Sequence, residues 1–438
     1  MQFRVAILGC GTVGGGVARI LLEQRESLAQ RAGREIVLAS IVDLFPGRSS
    51  RRHELPRELY AGLGDELSLA DAEAETRRIL EDPSIDLVVE TIGGSGEDIL
   101  SIARRVFEHG KHLVTANKAL LAKHGEELLG VARRHGKGIG FEAAVCAAIP
   151  LIKGLNECLT GDEIRSISGI MNGTSNYILS KMDEEGQSFE EALLGAQARG
   201  YAEADPTLDI DGGDAAHKLT IVLRLAFGLH LDFADLSRQG IFGVTAGDVE
   251  FAREMGGVIK LICHAQRVGD AVHAAVCPMI VKDSNLLSKI HGATNAVRIV
   301  GRYAGEIVLI GQGAGSLETG SAIVSDIVFL SRYSERAVPR RPASGLHLRP
   351  LGELDFPYNI VFETADVPGV TGIVATAIGR QRINIDTVSH NRHANDNAEF
   401  AIATMPCTRP QVERAIRDIQ QNHPGTLLSE PRVLPILA

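Results

Sequence analysis

Two lysines and a run of acids carry the chemistry available to this sequence. Lys118 stands in Leu113-Val-Thr-Ala-Asn-Lys-Ala-Leu-Leu121, just past a run of strand character. Lys218 closes the stretch from Gly200 that holds Glu203, Asp205, Asp209, Asp211 and Asp214. Pro206, Gly212 and Gly213 punctuate those acids, so they read as a loop, and the run after them reads as a helix with Asp214 near its start. Asp214 and Lys218 then lie i and i+4 on one helix face. Moving a hydride from an alcohol to a nicotinamide requires a group that takes the hydroxyl proton. A lysine does this when burial or a neighbouring cation lowers its pKa. A cationic lysine also stabilises a developing alkoxide. Carboxylates nearby could hold an ammonium group, so two lysines among several acids suit a zwitterionic amino-acid substrate. The plainer alternatives are a solvated lysine at 118 and an acidic, helix-capping loop with a surface ion pair at 214 and 218. A calcium loop of the EF-hand kind does not fit, because no glutamate stands at its twelfth position.

A second constellation lies at the start of the chain. Ile7-Leu-Gly9-Cys-Gly11-Thr12-Val13-Gly14 is G-x-G-x-x-G, directly after an apolar run and opening a helical stretch. In that setting Gly9 permits the tight turn, Gly11 lets the backbone approach a pyrophosphate, and Gly14 allows close helix–sheet packing. The helix N-terminus adds free N–H groups for the phosphates. The five residues Gly9, Gly11, Thr12, Val13 and Gly14 are therefore candidate cofactor contacts. Asp43 ends the second strand-like run, where an acid bonds ribose hydroxyls and repels a 2′-phosphate, favouring NAD. Its distance from Gly14 exceeds the usual ~20 residues, which a long intervening helix would absorb. Arg48, Arg51 and Arg52 follow at once; they either hold a 2′-phosphate or form a solvated face.

The surrounding elements are those such a site needs. Phe3–Leu8, Glu35–Asp43, Ile85–Glu90 and Lys111–Thr115 read as strands, with a helix after the first running to about Gln30. Ile99–His109 reads as a helix that Gly110 stops. This alternation argues for a parallel, doubly wound sheet over residues 1–141. Mixed helix and strand character follows over 142–330. Ser331–Pro350, with Pro339, Pro342, Pro350 and five arginines, reads as a linker. Residues 351–438 alternate again: Asn359–Thr364 as strand, Val370–Arg380 as helix, Ile383–Ser389 as strand.

Composition bounds the function. The 438 residues are 45% hydrophobic and 23% charged, ordinary for a globular chain with two or three domains. Aromatics are 4%, tryptophan is absent and the net charge is −10, which argues against a nucleic-acid binder. Leu219–Leu231, the longest apolar candidate, is interrupted by Arg224, so no membrane span is expected. Cys10, Cys146, Cys158, Cys263, Cys277 and Cys407 show neither a CxxC pair nor metal spacing, and no export signal precedes them; they read as reduced thiols of a cytoplasmic protein.

Taken together, these residues resemble homoserine dehydrogenase along the whole chain. The matching segments are Gly9–Gly14, Glu90-Thr-Ile-Gly-Gly94, Gly110–Leu121, Gly169-Ile-Met-Asn-Gly-Thr-Ser-Asn-Tyr-Ile178, Gly200–Lys218 and Gly311-Gln-Gly-Ala-Gly315. The resemblance implies a Rossmann-type dinucleotide-binding domain, an α+β catalytic and dimerisation domain, and reversible NAD(P)-dependent interconversion of L-homoserine and L-aspartate 4-semialdehyde in threonine and methionine biosynthesis. It implies Lys218 as proton donor and acceptor, Lys118 as a second active-site lysine, and Asp214 orienting the hydroxyl and Lys218. It also implies Glu203 and Asp209 in the substrate pocket, Gly173 and Thr174 in its lining loop, and Gly315 in a loop reaching the cofactor. Glu142 with the carbonyls of Val145, Ala147 and Ile149 matches a sodium-binding pattern, although Ala147 and Ala148 replace two glycines usual in the family. Val42 stands where an arginine often precedes the acid, which strengthens the lean to NAD. Glu318 and Gly320 replace a usual proline and alanine. The tail, Tyr358–Val370 and Ile383–Val388, is similar to an ACT domain, which implies pairing and threonine feedback. A homodimer or homotetramer is expected, with no nucleic acid or membrane partner. Two rivals remain at this point. One is another amino-acid-pathway dehydrogenase, such as an aspartate or a semialdehyde dehydrogenase; the phosphorylating semialdehyde enzymes need a nucleophilic cysteine, for which Cys146 is the candidate. The other is a non-catalytic sensor of dinucleotide and amino acid.

Overall fold

The computed structural model describes residues 2–62, 64–333, 345–392 and 397–438. They form two compact units. The first takes the chain up to Glu163, together with His217–Phe233 and the stretch from Leu309. The second comprises Ile164–Ala216, Ala234–Val308 and the chain from Gly345 onward.

The first unit is built on β1 (Gln2–Leu8), β2 (Glu35–Val42), β3 (Leu87–Glu90), β4 (His112–Thr115) and β5 (Ile139–Gly140). Val5, Ala6, Ile7 and Leu8 are all fully buried, as both faces of a covered parallel strand require. The strands pair in parallel in the order β2-β1-β3-β4-β5. The order therefore reverses between β1 and β3, and ligands of such sheets bind beyond the strand ends at that point. The expected first helix is in fact two, Thr12–Glu23 and Arg25–Ala32, broken at Gln24 (φ −108°, ψ 19°). The helix Glu97–Glu108 buries Ile99, Leu100, Ala103, Val106 and Phe107, the spacing of a single amphipathic face. Gly110 follows it at φ +70°, a left-handed stop.

Two segments far along the chain complete this unit. The helix Ser316–Arg332 crosses Thr12–Glu23 at paired glycines, where a Cβ on Gly320 would come within 2.9 Å of the Gly16 carbonyl carbon. That close approach gives Gly320 its reason for standing where alanine is usual in the resemblance. The other segment is the apolar part of the helix Gly213–Phe227. Among the described residues no helix is long and apolar enough to cross a membrane.

The second sheet, which lies in the second unit but for the end of β10, is made of β6 (Ile164–Ile170), β7 (Gly257–Val268), β8 (Ala271–Lys282), β9 (Thr294–Gly301), β10 (Glu306–Gln312), β11 (His347–Pro350), β12 (Tyr358–Ala365), β13 (Ile385–Arg392), β14 (Asn397–Thr404) and β15 (Arg432–Leu437). The sheet order is β10-β9-β6-β7-β8-β15-β12-β14-β13, with β11 beside β8. β7 and β8 form a long hairpin closed at Gly269-Asp270, Val268 opposing Ala271. β12, the helix Val370–Arg380, β13, β14, the helix Arg409–Asn422 and β15 follow the β-α-β-β-α-β order of ferredoxin-like folds, with spatial order β15-β12-β14-β13. β15 runs antiparallel to β12 and parallel to β8, where Ile436 faces Ile280 and Leu437 faces Val281. One core of buried side chains spans both halves, from Ile170, Ile262 and Met279 to Phe362, Val374 and Ile419.

Two expectations need amendment. The stretch 331–350 read as a linker ends a helix at Arg332 and begins a strand at His347; its middle lies outside the described residues. The acidic loop contains one helical turn, Thr207–Ile210, entered through Pro206, whose fixed φ suits a helix start.

Candidate active site

The glycine turn sits at the switch point of the first sheet. Gly9 has φ +87°, and a Cβ there would lie 2.8 Å from the Thr91 carbonyl oxygen. A Cβ on Gly14 would overlap the Gly9 carbonyl, whereas nothing lies within 4 Å of the same position on Gly11. Gly11 thus faces open space, the place a pyrophosphate takes in this turn. The helix from Thr12 has no side-chain N-cap and no acid in its first turn, which leaves its N-terminal N–H groups for an anion.

Asp43 braces this turn. Its carboxylate accepts the Cys10 N–H at 2.6 Å and the Phe45 N–H at 2.8 Å. The extra sequence between Gly14 and Asp43 is taken up by the helix Arg25–Ala32. The three arginines lie on the helix Pro46–His53. Arg52 donates to Thr12 Oγ1 at 3.1 Å, while Arg51 pairs with exposed Asp65. Gly315 precedes the helix Ser316–Arg332, and Ser316 Oγ donates to the Thr12 carbonyl at 2.7 Å. Asp43, Arg52 and Ser316, the residue after Gly315, therefore meet the glycine turn.

Lys118 is fixed by a network that sequence reasoning missed. Glu90 is fully buried at the end of β3. Its Oε1 accepts the N–H groups of Ile92 and Gly93, at 2.8 and 3.0 Å, and Oε2 accepts the Thr115 hydroxyl at 2.6 Å. Thr115 Oγ1 in turn accepts the Asn117 N–H at 3.0 Å, and the Asn117 side chain donates to the Gly94 carbonyl at 2.6 Å. Asn117 Oδ1 caps the helix Lys118–Arg134 at the Leu120 N–H. Three donors satisfy one buried carboxylate, and the same bonds hold two adjacent loops at the ends of β3 and β4. The only sequence signal was an acid closing an otherwise apolar strand before Thr-Ile-Gly-Gly.

Lys218 lies on the helix Gly213–Phe227, one turn beyond Asp214. Both are buried, at 7% and 6% exposure. This rules out the exposed surface pair as their description.

Within the second unit, Asn172 gathers the acids. Its Nδ2 donates to Asp209 Oδ1 at 2.7 Å and to Asp214 Oδ2 at 2.9 Å, and its Oδ1 caps the helix Gly173–Glu185 at the Ser175 N–H. Ser175 Oγ donates to the Asp209 carbonyl, and Thr174 Oγ1 to the Tyr201 carbonyl. Asn172 was not singled out from sequence; it stands directly before the glycine that was. Glu203 is exposed.

Lys260 lies beneath the same helix, with Nζ donating to the Ile290 carbonyl at 2.7 Å and to Ser180 Oγ at 3.3 Å. Burial pushes its ammonium down from 10.5 to about 8. Between those two values the unfolded chain holds a proton that the folded chain has released. Folding stability is therefore expected to rise with pH from about 8 toward 10.5 and to stay flat below, as far as this group is concerned. Urea denaturation across that range checks it: the slope should disappear in Lys260→Met.

The residues of the cation pattern form a buried cluster in the first unit. Both carboxylate oxygens of Glu142 accept backbone N–H groups, from Ile152 and Lys153, each at 2.8 Å. Asp326 accepts the Glu142 N–H at 2.8 Å and pairs with Lys153 Nζ at 2.8 Å. Two carboxylates are thus buried side by side, and the Lys153 ammonium pairs with Asp326. Burial, then Asp326, pushes the Glu142 carboxyl up to about 7. Cys146 and Ala147 hold positive φ, +55° and +28°, so side-chain-bearing residues here adopt backbone that usually favours glycine.

A glycine turn at the switch point of a parallel sheet, with phosphate-ready N–H groups and an acid at the second strand's end, defines a dinucleotide-dependent oxidoreductase. Known proteins narrow the class. A family model described as homoserine dehydrogenase matches residues 150–328, and one described as its NAD binding domain matches 9–142. The homoserine dehydrogenase of Pseudomonas aeruginosa is 38% identical, with 95% of this chain and 94% of that protein covered. That of Neisseria gonorrhoeae is 35% identical with the same coverage of each. The crystal structure of a homoserine dehydrogenase from Thiobacillus denitrificans superposes with a TM-score of 0.87 at 34% identity, covering 100% of this chain and 98% of that one. The chain belongs to the homoserine dehydrogenase family, NAD(P)-dependent oxidoreductases acting on a CH–OH group.

Proposed function

We propose that this chain interconverts L-homoserine and L-aspartate 4-semialdehyde through Lys218 as proton donor and acceptor at the substrate oxygen. A bound nicotinamide supplies or accepts the hydride. Lys218 takes the hydroxyl proton when the alcohol is oxidised and returns it to the oxygen when the aldehyde is reduced, so protons balance in both directions. Asp214, one turn earlier, orients that ammonium and the hydroxyl. Lys118, at the first turn of its helix, adds positive charge for the developing alkoxide. Glu203 and Asp209 receive the substrate ammonium, and Gly173 and Thr174 line the loop around it. The observation that carries this reading is a buried lysine one helical turn from a buried aspartate, since ions are left in such places chiefly where they are used.

The cofactor is a nicotinamide dinucleotide held at Gly9, Gly11, Thr12, Val13 and Gly14, with Gly315 and Lys118 beside it. We read the preference as NAD. Asp43 ends its strand as the acid that repels a 2′-phosphate, and its neighbour is Val42 rather than a cation. Semialdehyde reduction followed at 340 nm is expected to give kcat/KM about tenfold higher with NADH than with NADPH, a difference of about 1.4 kcal/mol. Asp43→Asn should narrow that ratio. A wild-type preference for NADPH would reassign Arg52, already at Thr12, as the phosphate ligand. No turnover with either cofactor by a folded protein that binds both would sink the enzymatic reading in favour of a sensor.

Glu142 with the carbonyls of Val145, Ala147 and Ile149 is the proposed seat of a monovalent cation such as sodium. The excess of buried negative charge at Glu142 and Asp326 supports it. The ferredoxin-like tail is read as an ACT module that pairs with a second copy and takes threonine at the turn between β12 and the helix Val370–Arg380. A homo-oligomer follows from that reading.

A further inference from the structure

The helix that carries Lys218 also carries a buried arginine that the proposed chemistry does not use. Arg224 is only 8% exposed. Its Nη1 donates to the Leu121 carbonyl at 2.8 Å, its Nη2 lies 3.3 Å from the Ala122 carbonyl, and its Nε lies 3.0 Å from Glu126 Oε1. All three partners sit on the helix Lys118–Arg134, and Leu121 and Ala122 are one turn beyond Lys118.

Those carbonyls are normally out of a guanidinium's reach. A side chain on a helix covers the turn N-terminal to its own Cα, so the residue four positions later would screen Leu121. Here that residue is Gly125, and a Cβ on it would lie 2.6 Å from Arg224 Nη1. The notch at Gly125 and the guanidinium of Arg224 are complementary. The planar fork meets two carbonyls and a carboxylate at once, which a lysine's single ammonium does not reproduce.

From this geometry we infer that Arg224 is a positioning residue: it bolts the Lys218 helix to the Lys118 helix and so sets one lysine relative to the other. The assignment rests on the proposed roles of the two lysines. A guanidinium buried for stability alone is a poor device, because an apolar side chain of similar volume often serves as well. As a clamp it fixes register and rotation, which packing of aliphatic side chains leaves looser.

The test uses the full chain with Arg224→Met, Arg224→Lys and Gly125→Ala beside wild type and Lys218→Ala. In Arg224→Met, kcat for semialdehyde reduction should fall about tenfold or more, since small misplacements of catalytic groups carry costs of that order. The pH midpoint of kcat should move, because the surroundings of Lys218 change. The dissociation constant for NADH should stay within about twofold, since the glycine turn is untouched. Arg224→Lys should fall between wild type and Arg224→Met. Gly125→Ala should reproduce the loss with the arginine still present, and it decides the matter if Arg224→Met fails to fold. Unchanged kcat and pH midpoint in folded Arg224→Met or Gly125→Ala would overturn the clamp while leaving the lysines in place. An inactive wild type, or a fully active Lys218→Ala, would overturn the lysine reading and this assignment with it.

Discussion

Replacing Lys218 by alanine is expected to lower kcat for semialdehyde reduction by about 10²- to 10⁴-fold, the usual worth of a positioned general acid. The side chain is buried on a helix that Arg224, six residues on, ties to the helix Lys118–Arg134. Binding of NADH, by contrast, depends on the glycine turn and should change little. A drop in kcat and kcat/KM together is the signature of an interaction made only in the transition state. Arginine should not rescue it, because a guanidinium does not release its proton near neutral pH. Single-turnover rates with saturating NADH, set beside fluorescence titration of cofactor binding, separate the two steps. A Lys218→Ala enzyme within about threefold of wild type in kcat would remove the residue from the proton path.

The second large effect is expected at Gly14. A methyl group there would run into the Gly9 carbonyl oxygen, which is backbone and has no rotamer to escape through. Overpacking of this kind costs about 1–3 kcal/mol, and here the strain falls on the turn that meets the pyrophosphate. Gly14→Ala should therefore lower the melting temperature by several degrees and weaken NADH binding about tenfold or more. Gly11→Ala makes the informative contrast. Its methyl enters open space in the free protein, so thermal stability should hold while cofactor affinity falls. Melting curves and NADH titrations of both variants decide it: equal effects on stability would contradict the difference in packing.

Several of these features were legible in the chain. The four strand runs of the first unit, the glycine turn and Asp43 declare themselves because each depends on neighbours in sequence. Asp214 and Lys218 were also legible, since a helix fixes their spacing. The break at Gln24 was not, because no proline or glycine marks it. Glu90 and Asn172 fall in segments that carry the resemblance, but their roles were not legible, for a different reason. Their roles are made by bonds between loops far apart in the chain, Glu90 to Thr115 and Asn172 to Asp209 and Asp214, which no local pattern announces. Glu203 shows the converse: it belongs to the acidic run by sequence, yet it is exposed where Asp214 is buried. The helix Ser316–Arg332 reads as part of the middle of the chain, but its glycine contact draws it to the first unit.

The position of β15 bears on how the chain acquires its shape during synthesis. This strand lies between β8 and β12, and it is the only one that joins the hairpin side of the second sheet to the ferredoxin-like side among the described pairings. Translation reaches it last of the described strands, long after β8 has left the ribosome. Until then β8 presents an open edge over its Ile280–Val281 end, and the shared core has a gap where Val433 and Leu437 will sit. Assembly of this unit is therefore a late, long-range event. A growing chain would carry an exposed apolar edge from the time β8 is made until β15 follows it, the condition under which nascent proteins call on chaperones.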